Sequence, residues 1–419
     1  MIRLIEALNY RCLHYVKQPL SDFHVLVGPN ASGKTTFLDV VSFLGDLMDD
    51  GLVAAIEQRT ANFRGLLFAH NGDRFELAVE MEIPKDRRSL LPEDRSFKFV
   101  RYELVIGMAE ETAEIRIYDE KVLLLETTTK TSPQRTLFPA PLRPPPAIAT
   151  GRISRSRRVV SKVYDGNDNY NSEVHKEGGK GWAPSIRLGP TKSALANLPE
   201  DENNFPVSTW LRSILRDGVQ QIVLNSQAMR RTSPPGQGLK FKPDGSNLPW
   251  VVHALQSAEP DRHKEWVSHV QTALRDLKDI VTVELPDTRH RYLKLIYENG
   301  LDIPSWMASD GTLRLLALTL PAYLSKFEGI YLIEEPENGI HPMAMETVFQ
   351  SLRSVYSAQI LLATHSPVIL GQAKLNDVLC FKKDSSGATD IVPGDEHPTL
   401  KNWQGHIQLS DLYASGVLG

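Results

Sequence analysis

Eight residues near the start of the chain fit the pattern G-x-x-x-x-G-K-[ST], since residues 28–35 read GPNASGKT. They follow a short apolar run, HVLV, and precede FLDVVSFLGDLM, so the glycine-rich segment joins a predicted strand to a predicted helix. Glycines let backbone N–H groups turn towards an anion, and the helix N-terminus adds its positive end. We therefore expect a phosphate-binding loop for ATP. Its members are Gly28, Pro29, Asn30, Ala31, Ser32, Gly33, Lys34, Thr35 and Thr36.

Two side chains of this phosphate loop have specific expected roles. Lys34 is expected to reach the β- and γ-phosphates and to take part in catalysis. Thr35 is expected to offer its hydroxyl to Mg²⁺. A fortuitous glycine-rich turn is the competing interpretation, but the apolar strand before the motif and the helix after it favour phosphate binding.

An acidic pair follows a buried-type strand, where residues 330–336 read IYLIEEP. Glu334 and Glu335 then lie at the carboxyl end of the strand, where the ligand sites of α/β sheets are found. Glu334 is expected to hold Mg²⁺ through water, and Glu335 to activate the attacking water as a general base. A strand that ends in solvated acids is the alternative, which the phosphate loop disfavours because the metal needs a carboxylate there.

A histidine follows a second buried-type strand, in LLATHSP at residues 361–367. At that position His365 is expected to sense the γ-phosphate and to orient the catalytic water. A lone histidine is more often a satisfied core or surface group, so this role depends on the acidic pair upstream.

The segment Ser309-Asp310-Gly311-Thr312 precedes a helical pattern. Ser309 is a good N-cap, and capping alone explains the serine. The segment is also suited to a second phosphate site, in which Ser309, Asp310 and Gly311 at a helix N-terminus face the γ-phosphate held by another subunit. From the residues alone both interpretations stay open.

Composition excludes several classes of protein. The chain has 419 residues, 41% of them apolar and 23% charged, with a net charge of −4. A basic field over the whole surface, as in a general nucleic-acid coat, is therefore absent. Two cysteines provide neither a disulfide framework nor zinc-ligand spacing. The start of the chain does not fit a signal peptide, and no apolar stretch has the length of a membrane span. We expect a soluble, cytoplasmic protein without membrane contact.

The two ends of the chain carry α/β patterns, and its middle does not. The sequence predicts an edge strand at residues 1–13, an antiparallel meander, a Pro/Thr-rich loop, helices after residue 205, and one last strand before a final loop. The meander strands are residues 75–83, 102–106 and 115–125; the loop is 127–150, the second helical stretch 248–281, later strands 282–285 and 292–297, and the last strand 377–381. The predicted organisation is a head built from residues 1–126 and 282–419, with an insertion at 127–281.

A basic tract lies inside the predicted insertion. It comprises Arg152, Arg155, Arg157, Arg158 and Lys162, and a smaller basic pair is Arg230 and Arg231. The tract could contact the phosphates of DNA or RNA. A solvated loop face is the favoured interpretation, because the net charge is negative and no aromatic residues alternate with the arginines.

The order of these motifs resembles the ABC-type ATPases of the SMC, RecF and overcoming-lysogenisation-defect groups. In those families the four segments are the Walker A motif, the signature, the Walker B motif with its D-loop, and the switch histidine. The chain is more closely similar to the stand-alone predicted AAA-type ATPases of bacterial defence islands. Those carry S-D-G-T-L-R, E-E-P-E-x-G-[IL]-H-P and D-G-S-N-L, and the last is residues 244–248 here.

The sequence also departs from the superfamily pattern. SDGT replaces the transporter-type SGGQ, which disfavours a transporter, and Glu334 stands where Asp is usual. Gln58 is a weak candidate for the Q-loop, since a solvated loop glutamine is the simpler interpretation. A coiled coil and the two-metal acids of a nuclease domain are not found in the sequence.

The resemblance implies an α/β fold of the ABC type, a mixed central sheet with an antiparallel β-meander and a helical or irregular insertion. It implies ATP and Mg²⁺ as cofactors and a homodimer or higher oligomer with ATP between the heads. It further implies control of a separate effector, a nuclease or toxin, in bacterial anti-phage defence. A DNA-repair or recombination clamp that binds DNA directly, and an assembly scaffold with little turnover, are the alternative functions.

Overall fold

The structure is a computed structural model that describes residues 1–93, 96–128, 137–149, 155–175, 183–238, 240–325, 327–400 and 409–416. Its strands are β1 (Ile2–Tyr10), β2 (Leu13–Pro19), β3 (Phe23–Val27), β4 (Arg74–Glu82), β5 (Phe99–Met108), β6 (Ile115–Leu125), β7 (Ser156–Val163), β8 (Asp168–Tyr170), β9 (Ser185–Ile186), β10 (Val219–Ile222), β11 (Leu277–Glu284), β12 (Arg291–Tyr297), β13 (Asp302–Pro304), β14 (Gly329–Glu334), β15 (Ala358–Ala363), β16 (Val378–Lys383) and β17 (Thr389–Pro393). The α-helices are α1 (Lys34–Asp49), α2 (Leu52–Glu57), α3 (Lys85–Arg88), α4 (Pro206–Asp217), α5 (Ser226–Arg230), α6 (Leu248–Ala258), α7 (Pro260–Gln271), α8 (Asp310–Thr319), α9 (Pro342–Arg353), α10 (Pro367–Gln372) and α11 (Leu409–Ala414). Within these residues, no helix is long and apolar enough to cross a membrane.

The first sheet is antiparallel and has the order β2-β1-β4-β5-β6-β7-β8-β9. Strands β4, β5 and β6 follow one another as the predicted meander, which is confirmed. The prediction of β1 as an edge strand was wrong, because β1 pairs with both β2 and β4. Most of its residues are buried, so the strand lacks the clear apolar/polar alternation of a half-exposed strand.

The second sheet has the order β10-β14-β15-β3-β16-β17, and all its pairs are parallel except β16 with β17. Its register sets Glu334 beside Ala363 and Ala363 beside Leu26. The carboxyl ends of β14, β15 and β3 therefore meet at one edge of the sheet. The segments that follow these strands are the acidic pair, the switch histidine and the phosphate loop.

Helix α1 lies between the two sheets and is apolar around most of its circumference. Phe37, Val41 and Leu44 are fully buried in a core shared with β1, β4, β5 and the inner face of the second sheet. A helix that is apolar on all sides is typical of such a sandwiched position. On the other face of the second sheet, α6, α7, α8 and α9 build a separate core around Val25 and Val27. The helix into which the phosphate loop leads is thus packed between the two sheets.

The middle of the chain contributes strands to both large sheets. Strands β7 to β9 extend the first sheet, and β10 pairs with β14 in the second. The helix predicted from residue 205 ends at Asp217, and the residues VQQI that follow it form β10. Pairing with β14 decides this structure, since burial alternates along β10 as in a strand. The boundaries 1–126, 127–281 and 282–419 stay a prediction.

Three other element predictions needed correction. The stretch 248–281 contains two helices, α6 and α7, which meet at Glu259–Pro260, where proline suits the first turn of a new helix. Strand β11 begins at Leu277 rather than at residue 282. Strand β17 follows β16 where a final loop was predicted, and it closes the edge of the second sheet.

Most of the described part of the basic tract is a strand rather than a solvated loop. Arg152 lies outside the described residues, and β7 takes up the rest of the tract from Ser156. Arg157 donates to the carbonyls of Ser172, at 2.5 Å, and Glu173, at 3.2 Å. Lys162 is buried and pairs with Asp168 at 2.8 Å. Two of the cations are therefore bound within the fold.

A single buried amide ties the second sheet to the first. Gln359 on β15 accepts from the N–H of Ile2 at 2.9 Å and donates to the carbonyls of Ile2, at 2.9 Å, and Ser21, at 2.6 Å. Gln359 and Ile2 are both fully buried, so the backbone groups of Ile2 have no access to bulk water as a replacement partner. The contact fixes β1 against the strand that carries the switch histidine.

We expect Gln359→Leu to lower the free energy of unfolding by about 2–4 kcal/mol, because it leaves the buried N–H and carbonyl of Ile2 without their side-chain partner. The midpoint of urea unfolding measures this change. Gln350→Leu is the matched control, since Gln350 is exposed on α9 and its side chain bonds only to Glu346 among the described residues. Equal midpoints for the two variants would contradict the role of Gln359.

Candidate active site

The phosphate loop turns between β3 and α1 through residues with positive φ. Gly28 has a φ of 153° and Gly33 a φ of 107°. A Cβ added at Gly33 would lie 2.4 Å from Oγ1 of Thr389, so both the conformation and the space require glycine. The first helical bond runs from the N–H of Phe37 to the carbonyl of Gly33 at 2.9 Å. The N–H groups before Phe37 at this helix start have no intrahelical acceptor and are suited to an anion.

Lys34 is held by the loop that it follows. Its ammonium donates to the carbonyls of Gly28, at 2.8 Å, and Pro29, at 3.0 Å, and the residue is 8% exposed. Burial lowers the pKa of Lys34, while the carboxylates of Glu335 and Glu334 act in the opposite direction. The ammonium therefore lies within the loop, bound by two of its carbonyls.

Ser32 gives an independent indication that the loop fits an anion. Its hydroxyl is buried, and the residue is 3% exposed. Among the described residues this hydroxyl has no hydrogen-bond partner. A buried polar group without a partner costs about 1–3 kcal/mol, so an acceptor at this position would be stabilising. The residues of the loop thus fit the phosphates that the sequence predicts.

The acidic pair lies directly against the phosphate loop. The hydroxyl of Thr35 donates to Oε2 of Glu334 at the end of β14. The two predicted Mg²⁺ ligands are therefore adjacent, although 299 positions separate them in the chain. Hydroxyl and carboxylate oxygens are the ligands that Mg²⁺ prefers in nucleotide sites, and Mg²⁺ usually keeps several waters. This donor set fits the metal.

Glu335 leaves the strand with a backbone of unusual geometry. Its φ is 47°, in the left-handed region that non-glycine residues avoid. Its N–H donates to the carbonyl of Ala363 at 2.8 Å, and Nδ2 of Asn338 donates to its Oε2 at 2.6 Å. The cost of this conformation is about 1–3 kcal/mol, and such strain is concentrated at functional sites. The backbone of Glu335 is thus bound to β15, and its exposed carboxylate is bound by Asn338.

Glu337 joins the acidic segment to the histidine segment. It accepts from the hydroxyl of Thr364 at 2.8 Å and from the N–H of His365 at 2.6 Å. The sequence analysis missed Glu337 and Asn338, although both lie in the EEPEN block that carries the acidic pair. The sequence spacing alone does not distinguish a loop carboxylate that is solvated by water from one that accepts hydrogen bonds from a neighbouring turn.

His365 lies at the same sheet edge, and it lines a cleft with Asn30, Glu335 and Asn338. Its Nδ1 is 2.7 Å from the hydroxyl of Tyr413 on α11. Burial lowers the pKa of the imidazole, Lys34 lowers it further, and Glu335 opposes the change. The ring is therefore neutral at neutral pH. Tyr413 was also missed, because no motif marks it.

Next to the phosphate loop is a cleft of about 500 Å³. The loop forms one wall, and residues from the β1–β2 turn, from 65–70 and from 383–387 form the others. The cationic side chains of these walls are Arg11 and Lys383, and the aromatic rings are Phe68 and His70. The volume suits a drug-sized ligand such as a nucleotide base and sugar. Gln58, by contrast, ends α2 and donates to Asp50 at 2.8 Å, which agrees with a solvated glutamine.

The signature segment, residues 309–312, forms the start of α8. Ser309 is the N-cap, and its Oγ accepts from the N–H of Thr312 at 3.1 Å. Asp310 pairs with Arg230 at 2.8 Å. A Cβ added at Gly311 would lie 2.6 Å from the carbonyl of Gly339, so the segment packs tightly on the turn after the acidic pair.

These contacts confirm that Ser309 caps α8, and they leave the second phosphate site a prediction. Capping is present, and Arg230 is a partner of Asp310 rather than a separate basic site. In the described residues, the side-chain hydrogen bonds and ion pairs of Ser309 and Asp310 stay within the signature segment or reach Arg230. None of them joins the phosphate loop of the same chain.

The segment 244–248 is a structural turn that leads into α6. Asp244 accepts from the N–H of Ser246 at 2.9 Å through Oδ1. Asn247 accepts from the N–H of Lys242 at 2.8 Å and donates to the carbonyl of Lys240 at 2.6 Å. The side chains of Asp244 and Asn247 thus form hydrogen bonds with backbone groups of the same loop.

One family model matches most of the chain. The family model described as "AAA domain, putative AbiEii toxin, Type IV TA system" matches residues 23–371. This range includes the phosphate loop, the signature segment, the acidic pair and the switch histidine. No curated protein matches the chain.

Solved structures of SMC heads share the fold. A crystal structure of an Smc head bound to the C-winged helix domain of ScpA has a TM-score of 0.51 at 15% identity, and the match covers 93% of this chain and 97% of that one. An Smc head with an extended coiled coil, bound to the C-terminal domain of ScpA from Pyrococcus furiosus, has a TM-score of 0.50 at 14% identity, with 93% and 95% covered. The predicted ABC-type P-loop ATPase fold is confirmed.

Lys34→Ala should weaken the binding of Mg-ATP about 10- to 100-fold, because hydrogen bonds from a charged donor contribute about 1.5–3 kcal/mol. Calorimetry measures the affinity directly. Lys264→Ala, on the exposed face of α7, is the matched control and should bind as the wild type does. Unchanged affinity in Lys34→Ala would contradict the assignment of the phosphate loop.

Proposed function

The chain belongs to the AAA-domain family whose description names an AbiEii-type toxin and a Type IV TA system, and on that premise we propose that it is a dimeric ATP-hydrolysing switch. The observation that carries the proposal is the meeting of three segments at one sheet edge. Thr35 donates to Glu334, and Glu337 binds the backbone of His365. The residues proposed to bind phosphate, metal and the attacking water therefore lie close to one another, which supports the proposal.

ATP binding would use the phosphate loop and the neighbouring cleft. Backbone N–H groups at the start of α1 and the ammonium of Lys34 would hold the β- and γ-phosphates. Thr35 and Glu334 would hold Mg²⁺, Glu334 through water, as part of the ligand set. When bound, the metal ion neutralises charge on the phosphates. The short contact between the two side chains supports this pairing.

Hydrolysis would use Glu335 as the general base. Its carboxylate would take a proton from the water that attacks the γ-phosphorus, while Asn338 holds Oε2. Lys34 would stabilise charge on the γ-phosphate oxygens as the bond to the leaving ADP breaks. His365 would donate a hydrogen bond at the same phosphate. Burial lowers the pKa of His365, and a neutral ring still has one N–H for this bond.

A second copy of the chain would complete each site. Ser309 and Gly311 lie at the N-terminus of α8, and the negative charge of Asp310 is paired with Arg230. This helix start is therefore compatible with an approaching phosphate. Within the described residues no hydrogen bond or ion pair links it to its own phosphate loop. A two-fold pair of heads, or a higher oligomer built from such pairs, would bring Ser309, Asp310 and Gly311 to the γ-phosphate of the partner.

The switch would act in the cytoplasm on a separate effector, a nuclease or toxin, in bacterial anti-phage defence. The SMC heads with this fold were crystallised with a domain of ScpA, which supports partner binding by such heads. The family description, with its toxin and Type IV TA system, supports the biological setting. Direct nucleic-acid binding through residues 152–162 has less support, because Arg157 and Lys162 bind within the fold.

Glu335→Gln should reduce ATP turnover by about 10²–10⁴-fold and leave ATP affinity unchanged, since it removes the base but keeps the shape. Phosphate release and calorimetry measure the two quantities. Glu265→Gln, at an exposed position on α7, is the control for the same chemical change. Full turnover in Glu335→Gln would mean that another group activates the water.

Mixing two inactive variants tests the shared site. A dimer of Lys34→Ala with Ser309→Arg contains one site in which both lesions meet and one site with neither, so activity should return to about half by symmetry. Lys34→Ala mixed with Glu335→Gln is the control: these lesions lie on the same side of a site, so both sites stay defective. Turnover is measured after mixed dimers have been purified by two different tags. If both mixtures are equally inactive, the proposed arrangement is wrong or the two sites are coupled.

A further inference from the structure

The C-terminal helix α11 lies beside the histidine segment. Leu409 is buried in the core around Val25 and Val27. Helix α11 packs against α10, which begins two residues after His365. Tyr413 is half-buried there, with its ring packed on the same core. The ring is thus placed by packing, and its hydroxyl reaches past α10 into the candidate active site.

The hydroxyl of Tyr413 has two neighbours that can accept its proton. Nδ1 of His365 is 2.7 Å away, and the carbonyl oxygen of Gly28 is 3.3 Å away. Hydrogen bonds from a hydroxyl have oxygen–acceptor distances of about 2.5–3.0 Å, so the distance to Nδ1 is favourable and that to Gly28 is long. Gly28 also accepts from the ammonium of Lys34 at 2.8 Å. The hydroxyl has one proton, so it donates either to Nδ1 or to the Gly28 carbonyl, and the shorter distance favours Nδ1.

Donation from Tyr413 to Nδ1 would determine which nitrogen of His365 carries a proton. A neutral imidazole has one N–H and one lone pair, and a donor at Nδ1 requires the lone pair there. The proton is then on Nε2. Burial lowers the pKa of His365 and raises the pKa of Tyr413, so both groups are in the neutral forms that this bond requires.

We propose that Tyr413 is a positioning residue for His365: its phenol donates to Nδ1, fixes the Nε2–H tautomer and holds the ring in the cleft. His365 lines this cleft with Asn30 and Glu335, so Nε2–H is the donor offered to a γ-phosphate oxygen. The opposite tautomer would present a lone pair to the phosphate and repel it. This inference rests on the proposed function for its consequence, but the state of the ring can be measured without ATP turnover.

The tautomer is read directly by nuclear magnetic resonance. With isotope-labelled histidine, proton–nitrogen correlation spectra distinguish protonated from unprotonated ring nitrogens, and His365→Gln identifies the signals of His365. We expect Nε2 protonated and Nδ1 hydrogen-bonded in the wild type, and a changed Nδ1 signal in Tyr413→Phe. Tyr356→Phe is the control, since Tyr356 is 93% exposed. A protonated Nδ1 in the wild type, or signals unchanged by Tyr413→Phe, would overturn the proposal.

A double-mutant cycle tests the consequence for turnover. Tyr413→Phe keeps the ring packing and should lower kcat about tenfold with little change in KM for ATP, as loss of a group that orients a histidine commonly does. In a His365→Gln background the same substitution should have no further effect, because Tyr413 acts through His365. Additive losses would point to a merely structural role and overturn the proposal. An inactive wild type would instead refute the proposed function, and the spectra would still decide the role of Tyr413.

Discussion

The parallel register of β3, β15 and β14 is the constraint on which the site depends. It sets Leu26, Ala363 and Glu334 side by side, so that the three segments after these strands emerge at one edge of the sheet. Parallel strands require long connections, and here they contain most of the chain. The residues that meet at this edge therefore come from both ends of the sequence, and the fold brings them together only when the second sheet is complete.

Polar contacts then convert this shared edge into a defined geometry. Thr35 joins the phosphate loop to Glu334, Glu337 joins the acidic segment to His365, and Tyr413 reaches the same histidine from the C-terminal helix. Each contact fixes a group that would be mobile at a strand end by itself. Preorganised groups of this kind need no rearrangement when charge develops during a reaction. The positive φ of Glu335 shows that the fold tolerates local strain at this position.

The sequence was sufficient to predict the site residues that belong to a short motif or lie at the end of a recognisable strand. Lys34 and Thr35 belong to one short motif, and Glu334 and His365 each follow a recognisable buried strand, so their common edge could be predicted. Glu337 and Tyr413 could not, because their roles depend on partners 28 and 48 residues away. Strand β10 was predicted as helix for a similar reason, since its partner β14 begins more than a hundred residues later. Local propensity is a weak guide where long-range pairing decides the structure.

The most direct test of this account is a crystal structure with Mg²⁺ and a non-hydrolysable ATP analogue. We expect the triphosphate to lie on the phosphate loop, with Lys34 and Nε2 of His365 at the γ-phosphate. Thr35 should turn from Glu334 to the metal, and Glu335 should face the γ-phosphorus across a water. An analogue bound elsewhere, or a triphosphate on the loop with Glu334 and Glu335 remote from the metal and the γ-phosphate, would contradict the claim that this sheet edge is a site of ATP hydrolysis.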